Sequence, residues 1–580
     1  MDKFYSDEVN VQIVIALLKK HGINQVIVSP GTTNQTFIFS IQNDSFFNIY
    51  SCVDERSAAY MACGMAAESK KPVVLSCTGA TASRNYLPGI TEAYYRKLPI
   101  LAITATRTTC QVGHLIDQQI DRSVQPNDTY KYSVNLPFIK DDEDFWECEV
   151  NVNKAILELT RHGGGPVHIN LPTRYNTGYN CKTLPKVRTI KRYSKGDVLP
   201  VLPKSDKIGI YIGTHTEFSD ELTRSIEKFC EIYNGVVFCE HTSNYSGKYA
   251  INFYPILSLK KASFIEFLPD VVIDIGEIAG LSRMNAKILW RVSPDGEIRD
   301  PKKNIEYIFE MNEKYFFDYY LNNTTNKINI SFYEKWKNIF DQIQNTFIEL
   351  PFSNIYAAYL MIKKMPENSV IHFGILNSLR SWNFFSLNKN IRCYANTGGY
   401  GIDGGLSTLI GASLVNPKKL YFGIFGDLSF FYDLNSLGNR HINNNVRILL
   451  INNGIGSEFK LIYNTGYKWG KETDLFAAAK GHFGNKSNSL VKHYAEDLGF
   501  EYFSASNKED FNKVYERFIV PELTDKPIIF EIFTNDEDEN NALVSMITRY
   551  ENMQGNIKNI VKNLAGEVVV NKIKGLINNS

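Results

Sequence analysis

Short runs of apolar, often β-branched residues recur along the whole chain and alternate with stretches of helical pattern. Such runs include residues 25–31, 72–79, 98–105, 167–172, 208–213, 236–239, 271–276, 369–374, 420–425, 446–451 and 528–533. A continuous apolar run bounded by turn residues is typical of a strand covered on both faces, and its alternation with helices predicts a parallel sheet. We therefore predict the α/β fold class, with three consecutive doubly wound parallel-sheet domains.

Changes in residue pattern separate the predicted α/β units. Residues 186–205 are basic and contain prolines with little periodicity, and this pattern predicts a linker. We expect a first domain at 1–185, a second at 206–335 and a third at 350–540. Residues 541–580 have a helical pattern without a motif, so we expect a helical C-terminal tail.

Charge and composition exclude several classes of function. The 580 residues include 63 Lys and Arg against 62 Asp and Glu, and this balance argues against nucleic acid as a partner. No apolar run reaches the roughly 20 residues that cross a bilayer, and the acidic start at 1–8 does not resemble a signal peptide, so we expect no membrane association. Scattered cysteines without a C-x-x-C pair suit a reducing cytoplasm, which is the predicted location.

Two polar turns follow neighbouring predicted strands in the third domain. Gly426-Asp427 comes directly after the run 420–425, and Asn453 follows the run 446–451. The carboxyl ends of adjacent parallel strands form the usual ligand crevice, where a glycine and helix-opening amides favour a phosphate. Carboxylate and amide oxygens suit Mg²⁺, which shares its coordination shell with phosphates. The pair therefore predicts a Mg²⁺–diphosphate site, whereas either turn alone is more typical of an ordinary helix cap.

This pairing resembles the thiamine-diphosphate (ThDP) binding motif, Gly-Asp-Gly followed further along by Asn-Asn, with Leu428 in place of the third glycine. The variant Gly-Asp-Leu-Ser resembles the SEPHCHC synthase branch of menaquinone biosynthesis. The resemblance implies that Asp427, Asn453 and the carbonyl of Ile455 bind Mg²⁺. It also implies cofactor contacts from Gly426, Leu428 and Ser429.

Two further segments extend the resemblance. Val53-Asp54-Glu55-Arg56 opens a helix of small residues and resembles the family's activating-glutamate segment. ThDP needs a partly desolvated carboxyl group that stabilises its imino tautomer, so Glu55 is the implied catalytic residue. Taken alone, Glu55 would only complement a helix N-terminus. Gly401-Ile402-Asp403-Gly404 resembles the synthase's Gly-Ile-Asp-Gly segment, which implies cofactor contacts from Gly401 and Ile402, with Ile402 beneath the cofactor.

The resemblance also implies how the domains share the cofactor. Residues 1–185 would bind the pyrimidine, 206–335 would form the central domain, and 350–540 would bind the diphosphate and Mg²⁺. In this family the cofactor lies between the pyrimidine domain of one subunit and the diphosphate domain of another, so we expect a homodimer or homotetramer. Some acetolactate synthases bind FAD in the middle domain. The middle domain of this chain has no Gly-x-Gly-x-x-Gly motif, so we do not expect FAD as a cofactor.

Several substrate-facing positions depart from the SEPHCHC synthase pattern. Thr32 and Thr33 stand where the synthase has a Ser-Arg pair. Thr397 and Trp382 stand where further arginines are expected, although Arg380 lies close by. Because guanidinium groups pair efficiently with carboxylates, their loss should disfavour 2-oxoglutarate and isochorismate as substrates.

The other substrate-facing candidates are polar side chains of the first domain. Gln118 lies in a segment resembling one with a substrate-facing glutamine, and we expect it to orient the substrate. His114 is a candidate proton shuttle, because histidine is the side chain that most often transfers protons in enzymes, or else an exposed loop histidine. Arg107 and Arg122 are candidates for binding a substrate carboxylate, with surface ion pairing as the alternative. The remaining substrate-binding candidates are Thr32, Thr33, Thr78 and Thr397.

We predict a ThDP- and Mg²⁺-dependent enzyme that decarboxylates a small, pyruvate-like 2-oxo acid. The product is either released as an aldehyde or transferred to a carbonyl acceptor. One alternative is the SEPHCHC synthase reaction of menaquinone biosynthesis. The other is a non-catalytic scaffold with the ThDP-enzyme fold, against which the joint presence of Glu55, Asp427 and Asn453 argues.

Overall fold

The computed structural model describes residues 4–175, 178–259, 268–280, 284, 286–323, 328–388, 390–481 and 487–549. The chain divides into two compact units. The first comprises Met1–Leu199 and Asp295–Glu310, and the second comprises Pro200–Pro294 and Met311–Ser580.

The strands of the described residues follow one another along the chain. They are β1 (Gln25–Val28), β2 (Asn48–Ser51), β3 (Val73–Thr78), β4 (Ile100–Thr106), β5 (Tyr132–Asn135), β6 (Val167–Pro172), β7 (Lys191–Ser194), β8 (Ile208–Ile212), β9 (Gly235–Cys239), β10 (Ala250–Asn252), β11 (Val271–Ile275), β12 (Ile288–Ser293), β13 (Ile305–Glu310), β14 (Val370–Phe373), β15 (Arg392–Ala395), β16 (Tyr421–Gly426), β17 (Val446–Asn452), β18 (Glu501–Ala505) and β19 (Ile528–Phe533).

Helices alternate with these strands. They are α1 (Val9–Lys20), α2 (Gln35–Ile41), α3 (Glu55–Ser69), α4 (Ala80–Asn85), α5 (Leu87–Tyr95), α6 (Asp142–Glu158), α7 (Asp220–Tyr233), α8 (Tyr254–Leu257), α9 (Glu313–Asn322), α10 (Ser331–Asn345), α11 (Asn354–Met361), α12 (Asn377–Asn383), α13 (Gly405–Val415), α14 (Asp427–Tyr432), α15 (Leu490–Asp497) and α16 (Lys508–Phe518). Residues 536–549 are also helical.

The first unit is built on a six-stranded parallel sheet in the order β2-β1-β3-β4-β6-β5. Its central strands are buried almost throughout, as β4 shows. Helices α1, α2 and α6 bury their apolar residues on one face, and helices α3, α4 and α5 cover the other. The four central strands β1, β3, β4 and β6 therefore bury both of their faces, which explains why their sequences are continuous apolar runs rather than alternating ones.

The second unit contains two further parallel sheets. One has β10-β9-β8-β11-β12 side by side, and the other has the order β15-β14-β16-β17-β19-β18. In the last sheet helices α11, α12 and α16 pack on one face, whereas α13, α14 and α15 pack on the other. The predicted fold class, α/β with three doubly wound parallel sheets, is confirmed, while the predicted domain boundaries remain predictions.

One element lies where the sequence predicts a linker. Strand β7 falls within 186–205 and pairs in parallel with β13, more than a hundred residues further along the chain. The cationic Arg192 contacts Glu158 at 3.1 Å and Glu310 at 3.6 Å. The strand has no local apolar pattern, and its pairing partners are distant in the sequence. Sequence patterns alone therefore could not predict it.

The ends and the cysteines add three observations. The predicted tail is helical as far as residue 549, and its remainder lies outside the described residues. No helix in the described ranges is long and apolar enough to cross a membrane. All nine cysteines belong to the described part and are free thiols.

Candidate active site

Asp427 stands at the carboxyl end of β16, where the strand turns into α14. Gly426 is the N-cap of this helix, and Asp427 is its first residue, 3% exposed. The carboxylate accepts the backbone N–H of Leu428 at 2.7 Å and that of Gly454 at 2.6 Å. Burial raises the pKa of the Asp427 carboxyl to about 6, although the surrounding backbone N–H groups favour its charged form.

Asn453 lies at the carboxyl end of the adjacent strand. Strands β16 and β17 pair in parallel up to Gly426 and Ile451, so their carboxyl ends meet at one edge. The loop after β17 turns at Gly454, whose φ of 68° is a left-handed conformation that suits glycine. The half-buried Asn453 side chain accepts the N–H of Ile455 at 3.3 Å. The predicted pair, Asp427 and Asn453, is thus brought together through the Asp427–Gly454 hydrogen bond.

The residues around Asp427 fit a Mg²⁺–diphosphate group. A Cβ added to Gly426 would meet no atom within 4 Å, so open space adjoins the N-terminus of α14. A buried carboxylate and an amide oxygen beside this space are oxygen ligands of the kind that Mg²⁺ prefers. Within the described part of the chain no group of three or more His, Cys, Asp and Glu side chains could hold a metal ion.

The segment with Gly401 and Ile402 lies beside the same turn. The Ser429 hydroxyl of α14 donates to the carbonyl of Ile402 at 2.6 Å. The Ile402 side chain is 36% exposed and leaves an apolar surface beside this turn. The structure therefore places Ile402 and Ser429 next to the Asp427 turn, and their contacts with a cofactor remain predictions.

Two buried carboxyl groups behind this edge escaped the sequence analysis. Glu531 on β19 accepts the side-chain amide of Asn452 at 2.6 Å and the hydroxyl of Tyr502 at 2.7 Å. Glu539 accepts the backbone N–H of Asn354 at 2.9 Å and the hydroxyl of Thr534 at 2.8 Å. Burial raises the pKa of both, to about 7 for Glu539.

Glu55 is the first residue of α3 in the first unit, just after β2. The N-cap Asp54 accepts the N–H of Arg56, which fixes the start of the helix. Glu55 is half-buried, and its Oε2 accepts the side-chain amide of Asn85 at 3.1 Å. Several exposed apolar side chains surround the start of this helix, among them Val53, Tyr60 and Met61.

The threonines of the first unit lie at the carboxyl ends of β1 and β3. Thr33 is buried; its hydroxyl is hydrogen-bonded to that of Thr78 and lies 3.3 Å from the Ala105 carbonyl. Thr32 is exposed. The two hydroxyls of Thr33 and Thr78 thus bind each other, whereas Thr32 remains open to solvent.

Arg122, for which the sequence leaves a substrate carboxylate or a surface ion pair as alternatives, is buried close to these threonines. Arg122 is 4% exposed and donates to Thr104 at 2.7 Å and to Asn170 at 2.6 Å. Thr104 also binds the buried His168, whose other ring nitrogen lies 2.8 Å from the Ser133 hydroxyl. Burial lowers the pKa of His168 to about 3, so the ring is neutral near pH 7. The only feature of the sequence that could have indicated this network is the presence of polar residues near the ends of the strands.

The other candidates of the first unit lie on the loop after β4. Arg107 pairs with Asp117 through two hydrogen bonds of 3.1 Å and lies over the ring of Tyr175. His114 and Gln118 are exposed, and Gln118 has a left-handed φ of 58°. The structure does not join them to one another by a hydrogen bond among the described residues.

The two positions of the second unit that depart from the synthase pattern are both buried. Thr397 is 5% exposed, and its hydroxyl lies 3.3 Å from that of Thr214. Trp382 is fully buried, with its indole N–H 3.3 Å from Asn354. Arg380 points elsewhere, to Glu458 at 2.7 Å, so the nearby arginine does not take the place of the missing ones.

Comparisons with known proteins agree with this geometry. Residues 10–125 match the family described as thiamine pyrophosphate enzyme, N-terminal TPP binding domain, and residues 377–532 match its C-terminal TPP binding domain. The chain is 32% identical to a 2-succinyl-5-enolpyruvyl-6-hydroxy-3-cyclohexene-1-carboxylate (SEPHCHC) synthase of Bacteroides fragilis, covering 92% of this chain and 97% of that protein. It is 30% identical to the synthase of the same name from Bacteroides thetaiotaomicron, with the same coverage.

Proposed function

Because the chain belongs to the thiamine-diphosphate enzyme family and has SEPHCHC synthases as relatives along nearly its whole length, we propose that it is a ThDP- and Mg²⁺-dependent carboligase. It decarboxylates a 2-oxo acid and adds the remaining acyl group to a second substrate. The SEPHCHC synthase reaction, rather than simple decarboxylation, is the first candidate, because the relatives carry that name.

The observation that carries the proposal is the Asp427 turn. Asp427 and Asn453 would supply oxygen ligands to Mg²⁺, together with the carbonyl of Ile455. The space beside Gly426 would take the diphosphate, where the N–H groups at the start of α14 face its negative charge. When bound, ThDP supplies an electron sink for cleavage of the bond to the departing CO₂.

Glu55 would donate and accept the proton that this chemistry requires. Its Oε2 is held by Asn85, which orients the carboxyl group and leaves Oε1 for a ring nitrogen of the cofactor. A carboxyl group works best in this role when water is excluded around it. The exposed Val53, Tyr60 and Met61 beside it are the kind of surface that a second subunit covers, which supports a homodimer or homotetramer.

A specific observation favours a second candidate, a small donor such as pyruvate. Thr397 and Trp382 offer no positive charge, and Arg380 is already paired with Glu458. A donor with two carboxylates would therefore find no unpaired cation at these three positions of the second unit to bind its second carboxylate. Pyruvate has only one carboxylate and needs fewer such contacts.

The test is CO₂ release from pyruvate and from 2-oxoglutarate, with ThDP and Mg²⁺ and with or without isochorismate as acceptor. The control is Glu509→Gln, which changes an exposed glutamate on α16. Release from 2-oxoglutarate that rises with isochorismate would support the SEPHCHC synthase reaction. Release from pyruvate alone would support the small donor. Failure of the protein to bind ThDP in the presence of Mg²⁺ would overturn both and favour the scaffold.

A further inference from the structure

The loop after β17 contains the third candidate Mg²⁺ ligand, which is the carbonyl of Ile455. A carbonyl ligand belongs to the backbone, so its direction depends on the contacts that hold the loop rather than on a side-chain rotamer. In metal sites the hydrogen bonds around the ligands fix their orientation, and loss of such a bond weakens metal affinity by a factor of roughly 10 to 100. The contacts of this loop therefore bear directly on metal binding.

One side of the loop is held by backbone hydrogen bonds. The N–H of Gly456 donates to the carbonyl of Ala478 at 2.6 Å, and the N–H of Gly481 donates to the carbonyl of Gly454 at 2.9 Å. The Gly456 N–H and the Ile455 carbonyl belong to one peptide group, and in a planar trans peptide these two groups point in opposite directions. The Ile455 carbonyl therefore faces away from Ala478.

The two residues that follow this peptide are bound to α12. The side-chain amide of Asn377 donates to the hydroxyl of Ser457 at 2.8 Å. Arg380, one turn further along the helix, donates to Glu458 at 2.7 Å and 3.4 Å. It also donates to the side-chain oxygen of Asn377 at 2.7 Å. Two consecutive loop residues are thus joined to two helix residues by one connected set of hydrogen bonds.

Helix α12 is itself anchored in the core of the last sheet, because its Leu379 and Trp382 are fully buried there. The side chains of Arg380 and Glu458 are 13% and 21% exposed, and the guanidinium lies 4.7 Å from the centre of the Tyr463 ring. A largely buried pair is only weakly screened by the solvent. Its two-point contact also fixes the relative geometry of both partners, which the single ammonium group of a lysine cannot do.

We propose that Arg380 is a positioning residue for metal binding, which acts through Glu458 to fix the peptide between Ile455 and Gly456 and so the direction of the Ile455 carbonyl. Glu458 lies two residues beyond Gly456, so a shift of its backbone is transmitted to this peptide. The proposed role requires no contact between Arg380 and the metal ion. The inference deepens the proposed function, on which it rests for the presence of Mg²⁺ at this loop.

The test measures the Mg²⁺ concentration that gives half-maximal binding of ThDP to the full chain, with tryptophan fluorescence as the signal. Arg380→Lys keeps the positive charge but loses the two-point contact, so it should raise this concentration about tenfold. Glu458→Gln removes the negative charge of the pair and should raise it by roughly the same factor. The double variant should not exceed the larger single effect by more than about twofold, because both changes act through one contact.

The matched control is Arg517→Lys. Arg517 forms a two-point pair with Glu501 at 2.8 Å and 2.7 Å, and Glu501 begins β18, at the opposite edge of the same sheet. This variant should change the Mg²⁺ concentration by less than about twofold. Thermal unfolding of every variant is followed by circular dichroism. A purely structural role of Arg380 would lower the unfolding temperature without changing the Mg²⁺ concentration, and that result would overturn the inference.

A second measurement needs no cofactor. Amide hydrogen exchange of residues 454–460 should be faster in Arg380→Lys than in the unaltered protein and unchanged in Arg517→Lys. Unchanged exchange in Arg380→Lys, or an effect on the Mg²⁺ concentration that adds fully to that of Glu458→Gln, would contradict the inference. If Arg380→Lys does not fold, Glu458→Gln decides by the same criteria. Absence of ThDP binding by the unaltered protein at every Mg²⁺ concentration would instead overturn the proposed function, and the inference with it.

Discussion

The first sheet and the last sheet have the same strand order, but different side chains lie at the carboxyl ends of their strands. Their orders, β2-β1-β3-β4-β6-β5 and β15-β14-β16-β17-β19-β18, correspond strand for strand. The lengths also agree: β3 and β16 both have 6 residues, and β4 and β17 both have 7. In each sheet the third strand in this order leads into a six-residue helix, α4 or α14, whose N-cap is a glycine, Gly79 or Gly426.

The difference lies in what adjoins these two glycines. A Cβ on Gly79 would meet the Ala105 carbonyl at 3.1 Å and the Arg122 guanidinium at 3.3 Å, whereas a Cβ on Gly426 would meet nothing within 4 Å. The first turn is filled by a buried cation of the protein itself. The last turn is open and carries Asp427. Topology thus decides where a ligand can bind, and the side chain beside the glycine decides whether the space is available.

The largest expected effect is on turnover, and it distinguishes proton transfer at the first sheet from cofactor binding at the last sheet. Glu55→Gln should lower turnover by a factor of about 10³, because the amide cannot transfer the proton. The affinity for ThDP should change by less than about threefold, since Glu55 is not among the candidate diphosphate residues. CO₂ release and a ThDP fluorescence titration measure the two quantities. A variant with normal turnover would remove Glu55 from the mechanism.

The two regions should also respond in opposite directions to pH. Burial raises the pKa of Glu539 from 4.5 to about 7, so the folded protein holds a proton there that the unfolded chain releases. Its contribution to stability is complete below about pH 4.5 and is lost as the pH rises through 7. His168 has a pKa lowered from 6.5 to about 3, so its contribution is complete above pH 6.5 and is lost as the pH falls.

Glu539→Gln tests this difference, because glutamine resembles the protonated acid. At pH 8 the variant should be more stable than the unaltered protein by roughly 2–3 kcal/mol, and at pH 4.5 the two should be nearly equal. Urea unfolding at both pH values, followed by tryptophan fluorescence, measures the difference. His168→Gln is the contrasting variant. Its free energy of unfolding should fall less at acid pH than that of the unaltered protein, because glutamine does not take up a proton. Equal effects of pH on Glu539→Gln and the unaltered protein would contradict the raised pKa.

Asp427→Asn should remove the charge of the candidate Mg²⁺ ligand. The asparagine oxygen can accept one of the two N–H groups that the carboxylate binds, from Leu428 and Gly454, so the change should be confined to this turn and the far-UV circular dichroism should change little. ThDP affinity in the presence of Mg²⁺ should fall on the order of 10²-fold, because the carboxylate charge is lost from the shell of the ion. Asp497→Asn, at an exposed aspartate of α15, is the matched control. Unchanged ThDP affinity would mean that the metal site lies elsewhere.

The smallest effect comes from the matched pair of glycines. Gly79→Ala should lower the free energy of unfolding by about 1–2 kcal/mol, because the added methyl group meets the Ala105 carbonyl and Arg122. Gly426→Ala should leave stability within about 0.5 kcal/mol but weaken ThDP binding roughly tenfold, since the methyl group enters the open space. Equal effects of the two substitutions on stability would mean that the turns do not differ in this way.

Local sequence patterns were enough for the fold class and for the two turns of the candidate cofactor site. Strands buried on both faces are continuous apolar runs, and Gly426-Asp427 and Asn453 come directly after two of them. The correspondence between the first and last sheets was not visible, because it lies in strand order and length rather than in shared residues. Strand β7 was missed because its partner β13 is far away in the sequence.

The sequence by itself determined where strands end and which of those ends carry polar side chains with oxygen atoms, since both depend on neighbouring residues. Only the tertiary structure decided which polar side chains are engaged: Arg122 with Asn170, Asn452 with Glu531, and Arg380 with Glu458. Each of these pairs joins residues about 50 to 80 positions apart. A buried charge or amide is held by whichever partner the fold brings to it, and no local pattern encodes that partner.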